Sequence, residues 1–265
     1  MRTPLFWGLF LYKEVNVKGL IMAAGYATRL WPLTLDRAKP LLPIAGRPII
    51  DYIVDEIEPV EEVDRLYVVT NSKFAPQFRD WAAARETGKP VEVIDDGTVS
   101  DDDKLGAIGD IRFVIDQKGV HDDLFVIAGD NLFDLNLRKF VAFFKKKGTA
   151  VAAYNIADRE AAKRYGIVAV DKDQRVIDFQ EKPSDPPSTL AAIGMYLFPK
   201  DRLKLFEVYA GEGNNQDAPG HYVSWVYKRE PVYAYVFEGV WYDIGDLEMY
   251  RRAEELYRKG SSNSH

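Results

Sequence analysis

The amino-acid sequence predicts a single α/β domain whose mixed, mostly parallel sheet is covered by helices on both faces. Three observations carry that expectation. Apolar, β-branched runs alternate with amphipathic stretches through the first half of the chain, the rhythm of right-handed crossovers. The first of those runs empties into a turn of Gly25, Tyr26, Ala27 and Thr28. With 265 residues, 47% apolar and 13% aromatic, the chain can fill one large core without splitting.

Taken in order, Leu20 to Ala24 is the first strand and the functional segment starts near Lys18. From Pro48 to Glu58, the apolar residues Ile49, Ile50, Ile53, Val54 and Ile57 fall at helical spacing. Leu66 to Thr70 is a strand, Phe74 to Arg85 a helix, Val91 to Ile94 a strand, Leu105 to Ile115 a helix and Leu124 to Ala128 a strand. Beyond Gly148 the rhythm changes. Val151 to Tyr154, Ile167 to Val170, Val176 to Gln180 and Leu190 to Phe198 are strand-like, with Gly, Asp and Pro at their turns. Tyr222 to Lys228 reads as a helix, Val232 to Phe237 as a strand, and Asp246 to Lys259 as a closing helix with Asp246 at its N-cap. Residues 17 to 259 form the domain, Met1 to Asn16 an extension outside it, and Gly260 to His265 a flexible tail.

Composition narrows the function. Cysteine is absent, which removes disulfides, thiol catalysis and cysteine metal sites and suits a reducing cytoplasm. Thirty-five Lys and Arg against 41 Asp and Glu give a net charge of −6, so neither nucleic acid nor an anionic membrane is the expected partner. No apolar run approaches the ~20 residues of a membrane span. An anionic substrate must therefore be drawn by local charge and by metal. Aromatic residues in the second half leave room for a homo-oligomer interface.

The local charge lies in Gly19 to Pro43. Small residues after a buried strand let the backbone approach a ligand, and successive amides in such a turn bind anionic oxygens. Arg29 then offers a fork suited to phosphate, and Lys39 a movable point charge. A dinucleotide fingerprint needs three spaced glycines where only Gly25 stands, and a Walker loop needs Ser or Thr after its Lys, whereas Lys39 precedes Pro40. Further along, Val126 to Asn131 is an apolar strand ending in Asp130, and Trp241 to Gly245 holds Asp243. A strand-end aspartate also serves as a plain helix cap.

The stretch from Ala24 and Gly25 through Thr28, Arg29, Leu30, Pro32, Leu33 and Thr34 to Lys39, Pro40, Leu41, Leu42 and Pro43 resembles the signature of the sugar-1-phosphate nucleotidylyltransferases. Gly129-Asp130-Asn131, Tyr165-Gly166, Glu181-Lys182-Pro183, Gly194-Met195-Tyr196 and Trp241-Tyr242-Asp243-Ile244-Gly245 follow in that family's order. The resemblance implies a Rossmann-like fold of the nucleotide-diphospho-sugar transferase type. It implies nucleotide contacts at Ala24, Gly25, Tyr26, Ala27, Thr28, Arg29, Asp96 and Gly106. It implies sugar-phosphate contacts at Tyr165, Gly166, Glu181, Lys182 and Tyr196, with Mg²⁺ on Asp130 and Asp243. Arg29, Lys39 and Lys182 are the implied catalytic cations, and a nucleoside triphosphate and a sugar 1-phosphate the substrates, with dTTP and glucose 1-phosphate the leading pair. UTP or CTP with another sugar or polyol phosphate stays open, as does a nucleotide-sugar-binding regulator without turnover.

Three places depart from the family pattern. Ala27 replaces a glycine, so it must hold φ below zero or accept strain. Near the base the chain reads Asp95-Asp96-Gly97 and then the acidic run Asp101 to Asp103; pyrimidine-using members commonly carry a glutamine near the first of these, and an ionised aspartate only accepts hydrogen bonds. The acidic run reads equally as a solvated loop. The family's Ile-Thr-Asp segment by the acceptor is matched to Val223-Ser224-Trp225.

Overall fold

The computed structural model describes residues 16–262. Strand β1 (Val17–Met22) is central, and Leu20 and Ile21, on opposite faces of its pleat, are both fully buried in separate core layers. That is the pattern of a parallel strand covered on two sides. A small hairpin, β2 (Pro43–Ile44) and β3 (Arg47–Pro48), leads into α1 (Ile49–Ile57), whose five apolar residues are wholly buried as the spacing predicts. Each such side chain contributes ~2 kcal/mol of hydrophobic stabilisation. Then β4 (Val63–Thr70), α2 (Ala75–Ala84), β5 (Val91–Asp95), α3 (Gly106–Lys118) and β6 (Asp123–Ala128) complete a parallel set in the order β6-β1-β4-β5.

The second half widens this sheet. After β7 (Asn131–Phe133) and α4 (Leu137–Lys147) come β8 (Ala150–Asn155), α5 (Arg159–Ala162), β9 (Gly166–Val170), β10 (Val176–Glu181) and β11 (Leu190–Phe198). Strand β11 runs antiparallel to β6, β8 and β9 and so joins the halves into one nine-stranded mixed sheet. Helices α6 (Leu205–Gly211) and α7 (Pro219–Val226) precede β12 (Tyr233–Phe237), β13 (Trp241–Asp243) and α8 (Leu247–Ser262). Phe206 and Tyr222 stack with centroids 4.1 Å apart, locking α6 onto α7.

Several elements differ from the sequence expectation. Helix α4 was not anticipated, although Leu137, Phe140, Val141 and Phe144 keep an i, i+3, i+4, i+7 stripe and are buried. The Asn136 side chain caps it by accepting from Lys139 N, and Lys145, Lys146 and Lys147 suit its C-terminal dipole. Helix α7 starts at Pro219 rather than Tyr222, because proline's fixed φ suits a first turn. Asp246 does cap α8, accepting from Met249 N at 2.9 Å, but the helix passes Gly260 and reaches Ser262, into the stretch read as a tail. Residues 1–15 and 263–265 of the expected extension and tail lie outside the described residues. Among the described residues, no helix is long and apolar enough to cross a membrane.

Candidate active site

The site lies beyond the carboxyl ends of β1 and β6, where an open α/β sheet leaves its crevice. Ala23 N still bonds Val69 O, and then the chain breaks from the sheet at Gly25. Ala27 takes the strained alternative. Its φ of 48° and ψ of 45° are left-handed, and its carbonyl is held by Leu30 N at 3.0 Å and Thr34 Oγ1 at 2.8 Å. These bonds turn the chain so that Arg29 lines the crevice. Left-handed alanine costs about 1–2 kcal/mol, while glycine adds about 0.5–1 kcal/mol of unfolded-state entropy. Ala27→Gly is accordingly expected to be neutral to stabilising by up to about 1 kcal/mol in urea unfolding. A clear loss of stability would show that the Ala27 methyl group is needed for packing.

A pairing that closes a long loop brings the two acids together. Strand β13 lies antiparallel to β7 with Asp243 opposite Asn131, next in sequence to Asp130. Ile244 N bonds Asp130 O at 3.2 Å, and Trp241 Nε1 donates to Asn131 Oδ1 at 2.8 Å. Lys39 is only 8% exposed, in the 3-10 turn Lys39–Leu41, and its Nζ lies 2.6 Å from Asp130 Oδ2. Burial, followed by the charge of Asp130, lifts the Asp243 pKa to about 6, against the pull of Lys39 and Arg29.

The opposite wall comes from β9, β10 and β11. Lys182 N bonds Tyr165 O at 3.0 Å, tying the Glu181-Lys182-Pro183 turn to Tyr165-Gly166, and Lys182 itself sits at φ 47°. The Glu181 carboxylate is wedged between two glycines: a Cβ on Gly166 would lie 2.8 Å, and one on Gly220 1.8 Å, from its Oε2. Burial raises the Glu181 pKa, opposed by Lys182 and His221. Tyr196 is 4% exposed, and burial drives its pKa far up, so its hydroxyl stays protonated. Tyr165 meets Trp241 edge-on at 5.0 Å.

These walls enclose a cavity of about 520 Å³ that Gly25, Arg29, Asp130, Tyr165, Gly166, Glu181, Lys182, Tyr196 and Asp243 all line. A second compartment of about 290 Å³ is lined by Ala27, Lys39 and Ala107 and shares Gly25, Arg29, Ala128, Asp130, Gly194 and Pro219 with the first. Other expected positions do not line either compartment. The Ala24 carbonyl accepts from Asn71 Nδ2, Thr28 is exposed, and Tyr26 turns towards Phe74 with its hydroxyl beside Thr98. Asp96 is 7% exposed, and its Oδ1 is taken by Thr98 N and Oγ1, both at 2.7 Å, so the carboxylate read as a base acceptor is spent within the protein. Asp101 to Asp103 form an exposed loop, in which Asp103 accepts from Ser100 N and Val99 N.

Sequence reasoning missed Asn131, Arg164 and the segment Asp217 to Gly220 as lining residues. It matched the acceptor segment to Val223-Ser224-Trp225, but Val223 and Trp225 are core residues of α7 and Ser224 Oγ bonds Phe179 O. The wall lies a few residues earlier, at an Asp-Ala-Pro-Gly stretch whose only signal is that of a turn. Among the described residues, no three or more metal-ligating side chains cluster. Two neighbouring carboxylates that line the larger cavity nevertheless fit Mg²⁺, which usually keeps its waters and takes one or two carboxylates plus substrate phosphates. Asp130 and Asp243 would hold it.

Residues 18–260 match the family model described as nucleotidyl transferase. The chain is 31% identical over 234 residues to the bifunctional protein GlmU of Methanocaldococcus jannaschii, covering 85% of this chain and 50% of that one. It is 29% identical over 263 residues to a glucose-1-phosphate adenylyltransferase of Rhodopirellula baltica, covering 88% and 58%. The chain thus spans little more than half the length of these curated relatives. A solved UDP-glucose pyrophosphorylase bound to UDP-glucose superposes with a TM-score of 0.80 at 25% identity, covering 92% of this chain and 99% of that one. With a match that runs from the first strand to the last helix, the chain belongs to the nucleotidyl transferase family.

Proposed function

We propose that this protein transfers a nucleotidyl group from a nucleoside triphosphate to a sugar 1-phosphate and releases pyrophosphate. The observation that carries the proposal is the meeting of Arg29, Lys39 and Lys182 with Asp130 and Asp243 across two joined compartments. A phosphate oxygen of the acceptor attacks the α-phosphorus in line. The bond from the α-phosphorus to the bridging oxygen breaks, and its electron pair leaves with pyrophosphate. A phosphate monoester loses its second proton near pH 6, so the nucleophile arrives ionised and no general base is needed. Catalysis then rests on positioning and charge. Lys182 holds the acceptor phosphate, Arg29 steadies the departing pyrophosphate, and Lys39 neutralises charge beside Asp130. Bound Mg²⁺ would add charge neutralisation at the reacting phosphates.

The nucleotide lies along the Gly25 to Arg29 turn towards Gly106, with Ala24, Tyr26, Thr28 and Asp96 shaping that turn and its neighbouring loop from behind. The sugar phosphate lies against Tyr165, Gly166, Glu181 and Tyr196. The leading pair is dTTP and glucose 1-phosphate. Likeness to the UDP-glucose-bound structure favours UTP as the second choice of base. A panel of nucleoside triphosphates against sugar and polyol phosphates, scored by Mg²⁺-dependent pyrophosphate release, tests the proposal. Nucleotide-sugar binding without turnover on any pair would instead indicate a regulator.

Lys182→Ala is expected to raise KM for the sugar phosphate about 10- to 100-fold, the worth of one charge-assisted contact, with little change in KM for the triphosphate. An equal rise in both would take Lys182 off the acceptor.

A further inference from the structure

We infer that Gly106 and the backbone of Gln216 and Asp217 form a clasp that positions the acceptor wall, so that a residue on the nucleotide side governs sugar-phosphate binding. This rests on the substrate assignment proposed above. The first N–H groups of a helix have no partner within the helix. In α3, Ala107 N donates to Asp217 O at 3.3 Å and Ile108 N to Gln216 O at 2.9 Å. These carbonyls can come so close only because position 106 has no side chain. A Cβ there would lie 2.6 Å from Gln216 O and 2.8 Å from Gln216 C, and the φ of 76° itself disfavours any L side chain.

What the clasp holds is the wall. Asp217, Ala218, Pro219 and Gly220 line the larger cavity directly after the clasped carbonyls, and Gly220 abuts the Glu181 carboxylate. On the other side of the clasp, Ala107 lines the smaller compartment, and Pro219 borders both. The side chains add little to this grip. Asp217 and Lys104 are 3.7 Å apart and largely exposed, and Arg112 Nη1 reaches Gln216 Oε1 only at 3.5 Å. Two backbone hydrogen bonds thus tie the front of the wall to α3, while α7 packed on β10 holds its far end, so a group that pushes those carbonyls away shifts Asp217 and Ala218 with them. By linkage, a nucleotide that steadies the start of α3 tightens acceptor binding, and the acceptor tightens nucleotide binding equally.

Gly106→Ala tests this. KM for the sugar phosphate is expected to rise about tenfold or more while KM for the triphosphate moves less than about threefold. Amide hydrogen exchange at Ala107, Ile108, Gln216, Asp217, Ala218 and Gly220 should speed up in the same variant. A rise in the triphosphate KM alone, or in both KM values equally, would overturn the clasp in favour of direct nucleotide contact by Gly106. If Gly106→Ala does not fold, Pro219→Gly loosens the wall beyond the clasp: it should raise the acceptor KM while Ala107 and Ile108 exchange as in the wild type, and an unchanged acceptor KM would overturn the inference. Should the wild type turn over no substrate pair, the proposed reaction fails, and exchange in the wild type still decides the clasp. Slow exchange at Ala107 and Ile108 supports it, and exchange as fast as in a free loop refutes it.

Discussion

Asp130→Asn is expected to lower kcat by at least roughly 10²- to 10³-fold, the usual cost of removing one preorganised electrostatic contact at a reacting centre. The reason is specific to this site. Asp130 faces both compartments, carries the partner of Lys39 and is the carboxylate whose charge, after burial, lifts the pKa of Asp243. An amide in its place loses the charge but keeps the shape, so the loss is electrostatic rather than steric. Mn²⁺ binding, followed by its paramagnetic resonance signal with no substrate present, should weaken in the same variant. A near-normal rate with undiminished Mn²⁺ binding would remove Asp130 from the reacting centre.

A second large effect concerns stability. Asp110, on α3, is 5% exposed and faces Asp96, which is 7% exposed. Burial, followed by the Asp96 charge, pushes the Asp110 pKa from 3.8 up to about 8. The folded protein keeps a proton that the unfolded chain releases above its ordinary pKa. Stability from this source is therefore intact below about pH 4 and falls by about 1.4 kcal/mol per pH unit up to roughly pH 8, where it levels off. Asn cannot ionise, and its amide can donate to Asp96 as the protonated acid does. Asp110→Asn should thus be more stable than the wild type at pH 8, by about 2–4 kcal/mol, and nearly equal at pH 4. Urea unfolding at the two pH values checks this, and parallel curves for variant and wild type would show that Asp110 is ionised in the fold.

Much of the architecture is local and therefore legible. The alternating elements up to β6, the buried stripe of α1 and the Asp246 cap each depend on residues within one or two turns, and each formed as expected. Helix α4 was equally local in its signal and was passed over. Where sequence reasoning placed side chains rather than elements, it did less well. Asp96 has the residue type of a base acceptor, but burial beside Thr98 and Asp110 commits it inward. Val223-Ser224-Trp225 lies in the acceptor region along the chain, yet α7 turns it into the core.

The sequence by itself marked the turn after the first strand with Arg29 and Lys39, because short-range spacing and side-chain chemistry are written in neighbouring residues, and it singled out Lys182, Asp130 and Asp243 through the order of motifs it shares with the family. Only the tertiary structure decided that they share one crevice. Asp130 meets Asp243 through a three-residue pairing between segments about 110 positions apart, and the carbonyls of Gln216 and Asp217, beside the larger cavity, accept hydrogen bonds from the start of α3. Contacts of that kind form only when the whole sheet has closed the intervening loops, and no local pattern announces which loop will land where.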